Sequence, residues 1–227
     1  ERKDSYRLQA EALAQLCGTL GKGQKILILN NPCNPTGAVY PDQELQALVK
    51  VCRKEEVIVI SDEIYSLIDF RKEKFSSIGR YLPESTVVTG GMSKAFSAGG
   101  WRLGLAFVPD AMSDIIKPWN ALISETFSCV NAPVQYAALE AFSQFEALRP
   151  QIQRFTEIHS VASSYLFKRF MQMDLNCPEP EGAFYLFPDF QNHREILKKR
   201  GITKCHELVD DLLNTRQVAI LPGTDFY

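Results

Sequence analysis

The chain has 227 residues, 45% of them hydrophobic and 23% charged, which is the balance of a soluble globular protein large enough for one large domain or somewhat more. Its formal net charge of −2 gives no general attraction to nucleic acid or to an anionic membrane, and no run of about 18 apolar residues offers a membrane span. The six cysteines form no Cys-x-x-Cys pair and read as reduced thiols of a cytoplasmic protein, while His159, His193 and His206 lack zinc-ligand spacing, so neither a disulfide framework nor a metal is expected.

Apolar residues at Leu8, Ala12, Leu13, Leu16 and Leu20 predict a helix that Gly21-Lys22-Gly23 stops. Lys25 to Leu29 reads as a buried strand, and Asn30 to Gly37 as the loop at its end. Asp42 is placed to cap a helix running to about Glu55, with Leu45, Leu48, Val49 and Cys52 on one face. Three further strands are predicted at Val57 to Ile60, Thr86 to Thr89 and Leu105 to Val108. Helices follow at Ala111 to Ser124, interrupted by Pro118, then at Ala132 to Leu148 and Pro150 to Met173. Beyond a Pro-rich break at Asn176 to Glu181, strands are expected at Ala183 to Phe187 and Val218 to Leu221, flanking a helix at His206 to Asn214. Strands alternating with helices imply an α/β sheet whose ligands bind at the carboxyl ends of its strands.

Three clusters fall at such strand ends. The first is Asn31-Pro32-Cys33-Asn34-Pro35-Thr36-Gly37, where two prolines stiffen a loop and a glycine permits the turn out. The second is Ser61-Asp62-Glu63-Ile64-Tyr65. The third runs from Thr89 through Lys94 to Gly104, with Arg102 eight residues after Lys94 and glycines around it. Small neighbours let a planar group approach the backbone. A desolvated lysine attacks a carbonyl to form a Schiff base, and an arginine clamps a phosphate with a fork of donors. A carbonyl plus a phosphate is what pyridoxal phosphate presents.

Together the three clusters, in this order, resemble the class I/II aminotransferases, pyridoxal-phosphate enzymes of fold type I. The match to Asn-Pro-x-Asn-Pro-Thr-Gly is complete, and the resemblance extends over nearly the whole chain. It implies an α/β fold: a mainly parallel sheet flanked by helices as part of a large cofactor domain (residues 1–149), a linking helix (150–173) and part of a small α+β domain (174–227). It implies that Lys94 carries the Schiff base and moves the substrate proton. Asp62 pairs with the pyridine nitrogen, Asn34 and Tyr65 donate to the phenolate oxygen, and Arg102 anchors the phosphate. Asn34 also lies against the substrate. Relatives often carry a serine three residues before the lysine; here that position is Gly91, which shifts the phosphate load toward Arg102. Glu63 is expected to point away from the site, Asn31 to be a turn residue, and Tyr185 to be a core residue. Each cofactor residue also has a plainer reading: a surface lysine, a salt-bridging arginine, an aspartate capping the next turn, a core tyrosine.

The activity implied is transfer of an amino group between an amino acid and a 2-oxo acid by a homodimer, with no nucleic-acid or membrane partner. The same chemistry also permits a carbon–sulfur β-lyase, and an aminotransferase-like domain also occurs as the cofactor sensor of some transcription regulators. With no initial Met and a turn at Leu221-Pro222-Gly223 just before its end, the chain is expected to be a fragment, and the resemblance implies that the glycine-rich phosphate loop and the arginine that holds the substrate carboxylate lie outside it.

Overall fold

A computed structural model describes residues 5–226. Four strands form one sheet in the order β1 (Lys25–Asn30), β2 (Val57–Asp62), β3 (Thr86–Gly91) and β4 (Gly104–Phe107). The first three run parallel, and β4 pairs antiparallel with β3. Four of the six predicted strands are therefore present, within one or two residues.

Helices α1 (Ala10–Thr19) and α2 (Asp42–Lys54) cover one sheet face. The apolar stripe of α2 does so as its spacing requires: Leu45, Leu48, Val49 and Cys52 join Val57 and Val59 of β2, Leu29 of β1 and Leu13 and Cys17 of α1 in one core. Asp42 is the first helical residue rather than the cap; Pro41 holds the cap position without a side-chain bond. Strand alternation then fixes the site. Val57, Val59 and Ser61 face the helices, so Ile58, Ile60 and Asp62 face the other side. That side is open at β1, where Ile26 and Ile28 are 59% and 71% exposed.

The chain then becomes helical in α3 (Ile116–Thr126), α4 (Ala132–Ser143) and α5 (Phe145–Gln172). A 3₁₀ turn over Asp110–Ile115 precedes α3, and Pro118 lies in the first turn of α3, where its missing N–H costs nothing. The break between α4 and α5 falls at Gln144, not at the proline; Pro150 sits in the second turn of the 28-residue α5, where it leaves the Glu146 carbonyl without its helical donor. Two further helices, α6 (Arg194–Lys199) and α7 (Cys205–Arg216), follow, and then a 3₁₀ turn over Gly223–Phe226.

Two predicted strands are absent among the described residues. Residues 183–187 run between two isolated bridges, Asp69 with Gly182 and Asn176 with Asp189, and Ala183 adopts a left-handed φ of 57° that breaks an extended run. Residues 218–221 follow a left-handed Gln217 and find no ladder among the described residues. Apolar composition marked both as strands, but a strand exists only where a neighbour supplies hydrogen bonds.

Candidate functional site

The carboxyl ends of β1 and β2 lie side by side, because Asn30 and Asp62 are register partners. The Asn30 amide exploits this. Its Nδ2 donates to Asp62 Oδ2 (3.2 Å) and to the Asp62 carbonyl (3.1 Å), while its Oδ1 accepts from the backbone N–H of Asn34 (2.5 Å). One side chain thus ties the predicted ring-nitrogen partner to the loop that carries Asn34. The other Asp62 oxygen, Oδ1, accepts from the Ile64 N–H at 3.3 Å and from Thr89 at 3.5 Å. Among the described residues no cation pairs with Asp62.

The loop after β1 presents Asn34 at the surface; among the described residues its side-chain amide has no hydrogen-bond partner. Asn31 is buried instead, its Oδ1 accepting from the Tyr40 N–H at 3.1 Å, in keeping with a turn role. Glu63 is also turned inward. Ser61 Oγ (2.8 Å) and Ser77 Oγ (2.5 Å) both donate to it, and burial holds its carboxyl above the usual range against the pull of those two bonds.

Tyr65 is 3% exposed, in a second core with Ile68, Ala95, Ile152 and Ala183. The half-buried Lys94 reaches the same place: its Nζ lies 5.4 Å from the Tyr65 ring centroid and 5.7 Å from that of Phe184. Among the described residues no carboxylate pairs with Lys94. Tyr65 is hydrogen-bonded hydroxyl to hydroxyl with Tyr185, and their rings meet edge to face at 5.5 Å. Burial, the Tyr185 bond and the nearby Asp62 charge all push the Tyr65 phenol above its usual range, so it stays protonated and able to donate.

Tyr185 reaches this place from far along the chain through a tight dock. Glu181 and Gly182 donate backbone bonds to Gly37 (2.8 and 3.0 Å), and Ala183 donates to Ile68 (2.8 Å). The dock requires glycine at 182, where a Cβ would sit 2.8 Å from both the Ile68 carbonyl and Val39.

Arg102 stands apart. It follows the 3₁₀ turn Gly99–Trp101 with a left-handed φ of 58°, a region sparsely used by residues other than glycine. Its exposed guanidinium donates to the Gly99 carbonyl at 2.9 Å. Among the described residues, no hydrogen bond or ion pair links it to Asn34, Asp62, Tyr65 or Lys94. Gly91 has a structural cause: β3 and β4 approach so closely that a Cβ there would lie 2.7 Å from the Leu103 carbonyl, leaving no room for a serine. An apolar cavity of ≈ 260 Å³ lies behind the lysine loop, lined by Met92, Phe96, Trp101 and Phe155 among others; neither Asp62 nor Asn34 lines it.

Two residues of this site carried no sequence signal strong enough to single out their role. Asn30 looked like the start of a loop, and only the register of β1 with β2 sets it beside Asp62. Tyr185 read as core, and its hydroxyl contact depends on a dock across more than a hundred residues.

The family model for aminotransferases of class I and II matches residues 1–227. Among curated proteins the chain is 36% identical over 228 residues to an aspartate aminotransferase of Geobacillus stearothermophilus, covering 99% of the chain and 55% of the relative. It is 33% identical over 216 residues to an aspartate aminotransferase of Bacillus subtilis, covering 93% of the chain and 53% of the relative. Among solved structures it superposes on the Thermus thermophilus aspartate aminotransferase with maleate at a TM-score of 0.86, with 30% identity, over 100% of this chain and 55% of that one. An aromatic aminotransferase from Pyrococcus horikoshii gives a TM-score of 0.84 at 27% identity, over 100% of this chain and 57% of that one. The chain thus spans about half the length of the relatives it matches.

Proposed function

The chain belongs to the class I and II aminotransferase family, with the α/β fold of its fold type I members, and on that premise we propose that it carries the catalytic half-site of a pyridoxal-phosphate-dependent aminotransferase. The observation that supports this best is the donor set at the ends of β1 and β2. Among the described residues, a carboxylate without a cation stands there, tied through Asn30 to the loop that carries the exposed Asn34, and an amine without a carboxylate lies beside the buried phenol of Tyr65. Each matches one demand of the cofactor: an anion for the pyridine nitrogen, a nucleophile for the aldehyde, and two donors for the phenolate oxygen.

Bound there, pyridoxal phosphate supplies a carbonyl for the amino group and a ring that accepts the electron pair left when the substrate Cα–H bond breaks. The chain supplies the rest. Asp62, fixed by Asn30, keeps the ring nitrogen protonated by its negative charge. Asn34 and Tyr65 donate to the phenolate oxygen, and Asn34 also orients the substrate. Lys94 Nζ would take the substrate α-proton and deliver it to the carbon that enters as the cofactor's aldehyde, two bonds away. Arg102 holds the phosphate. In the same reading, residues 1–149 belong to a large domain, 150–173 to a linking helix and 174–227 to a small domain of a cytoplasmic homodimer. No helix among the described residues is long and apolar enough to cross a membrane.

The test is a transfer assay on the full-length protein with pyridoxal phosphate, L-aspartate as first donor and a 2-oxo acid as acceptor. One new amino acid should form for each oxo acid released from the donor. Ammonia released without a new amino acid would mark a β-lyase, and cofactor binding with no turnover of any amino acid would mark a sensor; either overturns the proposal. Arg102→Ala should weaken pyridoxal-phosphate binding about 10- to 100-fold, the worth of a charge-assisted bidentate contact, as read by equilibrium dialysis. Arg102→Lys should recover only part of this, because a point charge lacks the fork. Unchanged affinity in the alanine variant removes the anchor role.

A further inference from the structure

We propose that Tyr185 is a positioning residue for Tyr65: its hydroxyl donates to Tyr65 Oη and thereby commits the Tyr65 proton to the phenolate oxygen of the cofactor. The inference rests on pyridoxal phosphate being the ligand of this site.

The geometry carries it. The two hydroxyls are bonded to each other, and either atom has the chemistry to donate. A phenol owns one donor hydrogen and two acceptor lone pairs. A Tyr65 that donates to Tyr185 has no proton left for a ligand. An anionic oxygen at Tyr65 decides the direction: the Tyr65 O–H turns to the anion, and the Tyr185 O–H fills the lone pair of Tyr65. Each bond then polarises the next, so the outer hydroxyl strengthens the inner donation.

The surroundings favour this order. The Asp62 charge opposes ionisation of Tyr65, and the Lys94 amine lies 5.4 Å from the Tyr65 ring. On the far side His159 of α5 packs on Phe184 at 5.1 Å, and Phe184 in turn contacts Tyr185 at 4.9 Å. The Tyr185 ring is therefore held by aromatic contacts that a phenylalanine would reproduce. The hydroxyl is the part that packing does not require.

The experiment compares Tyr185→Phe, Tyr65→Phe and the double variant in the full-length protein. Ligands are pyridoxal phosphate and its analogue lacking the 3-hydroxyl group. Tyr185→Phe should weaken pyridoxal-phosphate binding about 3- to 10-fold, the range of one hydrogen bond, and leave the analogue unaffected. The same change on the Tyr65→Phe background should have no effect, because the hydroxyl through which Tyr185 acts is gone. The pH midpoint of the bound chromophore's absorbance should rise in Tyr185→Phe, by less than in Tyr65→Phe, since a less stabilised phenolate raises the proton affinity of the linkage beside it. Equal losses for both ligands, or an undiminished loss on the Tyr65→Phe background, would show a packing role and overturn the relay alone. Absence of any saturable pyridoxal-phosphate binding by the unaltered protein overturns the relay and the proposed function together.

Discussion

Lys94→Ala should abolish amino transfer by the full-length protein and remove the point at which borohydride would fix pyridoxal phosphate to the chain. The expected loss is about 10⁴-fold or more, because one amine serves as both nucleophile and proton carrier. The structure gives the reason for choosing this lysine among the chain's many. It is half-buried, reaches the rings of Tyr65 and Phe184, and has no carboxylate partner among the described residues, whereas Lys198, for example, is engaged by Glu195 at 2.8 Å on the surface. Pyridoxal phosphate should still bind the alanine variant noncovalently through Asp62, Asn34, Tyr65 and Arg102. The check is reduction with borohydride, digestion and identification of the labelled peptide. Label on any other lysine sinks the assignment.

The sheet was legible because its strands are short β-branched runs bounded by turn residues, and α2 because its apolar stripe repeats with helical period. The site was legible in part for the same reason. Asp62 closes a β-branched run that reads plainly as a strand, although which face it takes follows only from the burial of Val57 and Val59 in the structure. What was not legible depends on contacts distant in sequence. The role of Asn30 needs the β1–β2 register, and that of Tyr185 needs the dock of Gly182 on Ile68 and Val39. Residues 183–187 have the composition of a strand, but no ladder forms on them. Gly91 shows a different limit. Its departure from the common serine was visible as a difference of side chain, but its cause, the close Leu103 carbonyl, belongs to the β3–β4 pairing.

Asp62→Asn should slow removal of the substrate α-proton by on the order of 10²–10³-fold while leaving the fold intact. The substitution keeps the shape of the side chain and removes only its charge. The amide oxygen of an asparagine can still accept from Asn30 Nδ2, so the tie between β1, β2 and the Asn34 loop survives. Without the anion, the pyridine nitrogen loses the interaction that holds its proton, a shift of roughly 1–3 pKa units for a close opposite charge. A neutral ring is the poorer acceptor for the electron pair from the Cα–H bond. The loss should therefore fall on the proton-transfer step, and a single-turnover experiment with Cα-deuterated amino acid should show a larger isotope effect than the unaltered enzyme. The competing reading is that Asp62 only caps the turn through the Ile64 N–H at 3.3 Å. That reading predicts the opposite pair of results, a lowered melting temperature with a nearly normal single-turnover rate, so the two measurements together decide between a carboxylate that supports the turn and one that holds the charge of the ring.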